Sequence, residues 1–143
     1  MRFLTVFAFL LLASCGGETH SSLCDLDQNF QGSEGDDVTF DAMLVRGSQH
    51  VPAMVVDKKC WKGIAVNPSN SSQEFQRAFD APGTFNKSAK ISGRIVTHQD
   101  RTWLVILETD RIEIGPAMTA SEESRFVQKM IRERNEYVAS RHP

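Results

Sequence analysis

The sequence predicts a mainly β domain of five strands, with a short helix between the third and fourth and another helix at the C-terminus. Three observations predict it. Between Asp36 and Ile114 apolar residues recur mostly with a period of two, the spacing that buries one face of a strand. That pattern breaks between Ser71 and Phe79, where Phe75, Ala78 and Phe79 fall on one helical face. After Gly115-Pro116 the period becomes helical and stays so.

The elements follow in order. Val38, Phe40, Ala42 and Leu44 alternate with Thr39, Asp41, Met43 and Val45, giving the first strand, and Arg46-Gly47-Ser48-Gln49 forms a turn. Val51 to Val56 is the second strand, with Pro52 near its start, where no ladder donor is required. Asp57-Lys58-Lys59 leads to a third strand, Cys60 to Val66, packed through Trp61, Ile64 and Val66. Ser71 and Glu74 fit a capping box for the short helix, which Pro82-Gly83 closes. Lys90 to Thr97 is the fourth strand, and Gly93 within it marks a bulge or a sharp bend. His98-Gln99-Asp100 turns the chain into Thr102 to Leu107, apolar on both faces and so read as covered on both sides; Arg111 to Ile114 extends it. Thr119 and Glu122 cap a final helix, about 121–139. Its stripe of Phe126, Val127, Met130, Ile131, Tyr137 and Val138 is expected to pack on the strands.

Over residues 36–115 this order of elements is similar to an OB-fold, a small five-stranded Greek-key barrel. The likeness lies in element order and strand length, with no diagnostic motif. It implies ligand contact on the face of strands two and three and in the loops after strands one and four. Arg46, His50, Trp61, Lys62, His98 and Arg101 are therefore the ligand-binding candidates. The other reading of these residues is solvated loops, with Trp61 in the core.

Ahead of the domain, an apolar run from Phe3 to Ala13 follows Arg2 and ends in Leu12-Ala13-Ser14-Cys15. The run falls short of the ~20 residues that span a bilayer and suits a signal-peptide core. Its last four residues, one aliphatic, two small, then cysteine, resemble the lipobox of bacterial lipoproteins. That resemblance implies cleavage before Cys15, diacylglyceryl on its sulfur, commonly a further acyl chain such as palmitate on its amine, and a place in the cell envelope. Gly16 in the next position implies the outer membrane, facing the periplasm. An ordinary secretory signal is the alternative. The expected organisation is a signal peptide at 1–14, a tether at 15–35, the barrel at 36–115 and the C-terminal helix at 116–143. Lipidation of Cys15 leaves two of the three cysteines, Cys24 and Cys60, to pair in an oxidising compartment; two buried thiols are the other reading.

The formal net charge is −2, and removing residues 1–14 takes away one positive side chain and no acid. Such a chain lacks the clustered Lys and Arg that grip nucleic acid. It contains no GxSxG, P-loop, GxGxxG, HExxH or CxxC pattern, so no cofactor is expected. A metal site would need the loops of His50 and His98 to converge, with Asp100 as the carboxylate. The expectation is a lipid-anchored, non-catalytic binding or assembly module for an envelope protein, peptide or glycan. The alternatives are a small envelope hydrolase or metal-dependent enzyme using His50 and His98, or a secreted inhibitor.

Overall fold

Alternation of apolar and polar residues decides the first long strand. In the computed structural model, which describes residues 16–46, 52–81 and 83–141, Val38, Phe40, Ala42 and Leu44 are buried on one face of the strand Asp37–Val45. The strands in chain order are β1 (Thr19–His20), β2 (Asp37–Val45), β3 (Met54–Asp57), β4 (Gly63–Ala65), β5 (Lys87–His98) and β6 (Arg101–Ile114). The helices are α1 (Gln73–Asp80) and α2 (Ala120–Arg141). The sheet runs β4-β3-β2-β5-β6 in antiparallel pairs, and β1 adds to β2 in parallel. An isolated parallel bridge joins Val66, just past β4, to Leu104 of β6. The sheet therefore has six strands where five were expected, because Thr19–His20 finds a free edge of β2 beyond the reach of short β3.

One face of the sheet and α1 enclose the core. Phe75 of α1 is fully buried with Leu23, Val38, Leu44, Val55, Ile91, Ile95 and Leu104. The helix starts one residue later than its capping box predicts. Ser72 is the N-cap, its hydroxyl accepting from Phe75 N. Ser71 is buried instead, where its hydroxyl donates to Asn67 O and accepts from Ile106 N, satisfying a β6 donor with no strand beside it. At the other end of α1, the buried Lys87 ammonium donates to Phe79 O at 3.3 Å and also to Ala81 O. These are carbonyls a helix end leaves unpaired, next to the negative end of its dipole. Burial, and then the nearby charge of Arg46, hold the Lys87 pKa below its ordinary value.

Two strands differ from their sequence reading. The third does not begin at Cys60: Trp61 N donates to Asp57 O and Asp57 N to Lys62 O, closing a tight turn with Trp61 in the left-handed region at φ 57°. Only Gly63–Ala65 remains as strand. β6 is covered on one side alone. Leu104 and Ile106 are buried, whereas Trp103 and Val105 are half-buried and Leu107 is 48% exposed, because no layer lies over that part of the outward face. The register shifts between Ser92 and Gly93, where the bulge was expected, but the extra residue is Leu107 on β6, opposite Gly93 rather than within β5. A Cβ on Gly93 would lie 2.8 Å from Val105 O, so the close approach of β5 and β6 requires glycine. Gln99 and Asp100, with φ 51° and 59°, form the two-residue turn that the twist of a hairpin favours.

The Thr119–Glu122 capping box is formed: Thr119 N donates to the Glu122 carboxylate at 2.7 Å and Glu122 N to the Thr119 hydroxyl at 3.3 Å. The bond from Thr119 N, and then one from the Thr119 hydroxyl to the same carboxylate at 2.9 Å, lower the Glu122 pKa. No described residue of α2 is buried, and Ile131 remains 56% exposed. Its packing on the sheet is light.

Gly93→Ala should destabilise the fold by about 1–3 kcal/mol, since backbone rather than a movable side chain blocks the new methyl group. An unchanged melting temperature would contradict the close β5–β6 approach.

Candidate functional site

The stretch expected to be a tether is laid along the sheet from Gly17 onward. A Cβ on Gly17 would fall 2.2 Å from Gly35 O, so the two backbones touch there. Glu18 N donates to an Asp36 carboxylate oxygen at 2.8 Å, Asp37 N donates to Glu18 O, and His20 Nε2 lies 3.1 Å from the second Asp36 oxygen. Next comes Asp57, 2% exposed, whose carboxylate accepts from the Ser22 hydroxyl at 2.6 Å, from Leu23 N at 2.9 Å and from Lys59 N at 2.8 Å. Beside it Cys24 and Cys60 form a disulfide. One carboxylate and one covalent bond thus fasten the N-terminal segment to the β3–β4 turn.

Lys62 and Trp61, both ligand candidates from sequence, serve this junction. Lys62 is 5% exposed; its ammonium donates to Leu26 O at 2.9 Å and to Asp27 O, and lies 4.3 Å from the Phe30 ring centroid. Burial, and then the charge of Arg134, lower its pKa. Trp61 leaves the sheet through its left-handed backbone and receives α2. Its Nε1 donates to Glu133 at 2.5 Å, and its ring meets Phe126 edge-on at 5.8 Å. Phe126 also stacks on Phe85 at 5.5 Å, and Arg141 donates to Cys24 O at 3.4 Å. Phe85 precedes β5 and Trp61 precedes β4, so Phe126 ties α2 to both. On the outward side of β2 and β3, Met43 and Val56, paired across the strands, are buried outside the core cluster. Neither Trp61 nor Lys62 is free for a ligand, because each is spent on holding another segment.

The remaining candidates are not brought together. Arg46 follows the last residue of β2, whereas His98 and Arg101 flank the β5–β6 turn; all three are exposed. Antiparallel pairing of β2 and β5 sets Asp37 opposite Arg94 and Met43 opposite Ser88, so Arg46 and His98 lie at opposite ends of the sheet. The shared mouth expected for these loops does not form. His50 and Cys15 fall outside the described residues. Among the described residues, the sole His, Cys and acid grouping within ligand reach of a common ion is Cys24, Asp57 and Cys60, whose two sulfurs are bonded to each other.

What the strands do assemble is a set of adjoining open hollows on the outward face of β2, β5 and β6, all bordered by Lys90. Register places Lys90 between Asp41 and Asp110 on its two neighbours, and Ser92 between Thr39 and Glu108. The Thr39 and Ser92 hydroxyls bond each other at 2.8 Å. Carboxylates of Asp41, Glu74, Glu108, Asp110 and Glu113 outnumber the ammonium groups of Lys58 and Lys90 in the linings. An open polar floor of this kind can hydrogen-bond an extended, positively charged partner along its length. In sequence these positions read as the solvent side of alternating strands; only their register reveals that they adjoin. No protein-family model matches this chain, and comparison with curated proteins and with solved structures finds no match.

Trp61→Ala should loosen α2, raising tryptic cleavage at Arg125, Lys129 and Arg132 while the sheet stays intact; unchanged cleavage would mean that α2 is held elsewhere. Lys62→Ala should cost about 1–3 kcal/mol, because it strands the Leu26 and Asp27 carbonyls. Chemical denaturation measures it.

Proposed function

We propose that this chain is a lipid-anchored protein of the cell envelope whose domain, an OB-like barrel, serves as a non-catalytic binding or assembly module. The observation that carries the anchoring is the Cys24–Cys60 disulfide. It suits an oxidising compartment and uses two of the three cysteines, leaving Cys15 alone at the position that resembles a lipobox cysteine. Stable anchoring takes two or more acyl chains, which a diacylglyceryl group supplies. The barrel reading is supported by the strand order, with α1 between the third and fourth of the five strands β2 to β6, and by the Val66–Leu104 bridge, which brings the two outer strands of the sheet together.

In an OB barrel the ligand face would be that of β3 and β4, and here Trp61 at the β3–β4 turn is taken up by α2. Binding is therefore assigned to the polar hollows around Lys90. Their excess of carboxylates favours a cationic, extended segment of an envelope protein over a small substrate.

Cys15→Ser should move the protein from the membrane to the soluble fraction, and retention on the membrane would defeat the anchoring. For the binding surface, cross-linking capture from native membranes should yield a partner that Asp41→Lys with Asp110→Lys abolishes and His98→Ala leaves in place. Capture insensitive to the charge reversal would place the binding surface elsewhere.

A further inference from the structure

We propose that the tip of the β5–β6 hairpin is a second membrane contact beside the lipid on Cys15, its partner being the headgroup layer of the bilayer that holds the chain. This rests on the anchoring proposed above and adds where the domain touches its membrane. Thr19 pairs with Asp37, and Asp37 with Arg94, so the three share one level of the sheet. β1 runs parallel to β2 and β5 antiparallel to it. Going back from Thr19 toward Cys15 therefore leads in the same direction as going on from Arg94 to His98. Gly16, the described neighbour of Cys15, lies three residues before Thr19, and His98 four residues after Arg94, so both lie on the same side of that level. Little slack intervenes, since Gly17 abuts Gly35 and Glu18 is bonded to Asp36. Gly35 N in turn donates to Ile95 O, one residue from Val96 on the hairpin. A lipid on Cys15 thus brings the hairpin tip to the depth of the headgroups.

The chemistry of the tip suits that layer. Trp103 pairs with Val96 on the outward face, half-buried, and Leu107 continues the apolar strip as an exposed residue. An indole, apolar with one polar N–H, prefers the membrane–water interface. Arg101 and Asp100, both exposed at the turn, match the phosphate and the ammonium of a zwitterionic headgroup. Glu18 and Glu34, exposed near Gly17, disfavour laying the N-terminal segment flat on anionic lipid, which leaves the hairpin as the side that enters.

The chain has two tryptophans, and Trp61 is covered by Phe126 and Glu133, so Trp103 can be read alone in a Trp61→Phe chain. The lipidated protein is reconstituted into phosphatidylethanolamine–phosphatidylglycerol vesicles carrying brominated acyl chains. Trp103 emission should shift to shorter wavelength and lose intensity, and Cys15→Ser at the same concentration should show neither change. Trp103→Phe in the otherwise unchanged chain should abolish the bromine-dependent loss, which keeps the test open if Trp61→Phe fails to fold. A lipidated protein that floats with the vesicles while Trp103 stays unquenched overturns the hairpin contact and leaves the anchoring intact. An unmodified Cys15 by mass, with no flotation, overturns both.

Discussion

The buried carboxylate of Asp57 is the joint on which the rest of the structure depends. A carboxylate removed from water must be met by donors, and Ser22, Leu23 and Lys59 supply them from two distant parts of the chain. Its backbone meanwhile closes the β3–β4 turn that throws Trp61 outward. The disulfide alongside closes a sequence separation of 36 and is worth about 3–4 kcal/mol in a chain-entropy account. Bond and carboxylate together hold the ledge on which α2 rests, so an N-terminal segment and a C-terminal helix that barely meet are governed by one buried group.

Sequence periodicity revealed the long strands well, because their core-facing positions alternate: Val38, Phe40, Ala42 and Leu44 in β2, and Ile91, Gly93 and Ile95 in β5, with Met43 buried on the other face. It also revealed α1, the irregularity at Gly93 and the Thr119 cap. It failed at Trp61 and Lys62, where hydrophobic composition suggests strand and the hydrogen bonds of Asp57 impose a turn. It missed β1, since two residues carry no period. The OB likeness implied one mouth for the loops after β2 and β5, whereas antiparallel register puts Arg46 and His98 at opposite ends of the sheet. The hollows around Lys90 were invisible for a related reason. Exposed residues on three strands become neighbours only once the strands are aligned, and the extra residues of β6 opposite β5 shift that alignment.

The outward face of the sheet is divided. Over β2 and β3 it is apolar, with Met43 and Val56 buried on the side where Trp61 meets α2; across β5 and β6 it passes to the polar floor around Lys90, bordered by Leu107, and then to Trp103 toward the hairpin. Each zone has a different natural cover: a helix of the same chain, a charged partner, and an interface of lipid and water. A single sheet face thus offers three chemistries in sequence along its surface.

The parallel pairing of β1 has a mechanical meaning. A pull applied through Cys15 runs along the strand axis and loads the β1–β2 hydrogen bonds together in shear, rather than peeling them one by one. If they give way, unravelling stops at Cys24, where the covalent link passes the load to Cys60 at the β3–β4 turn. A protein hung from a moving lipid surface would keep its fold and gain only a few residues of reach.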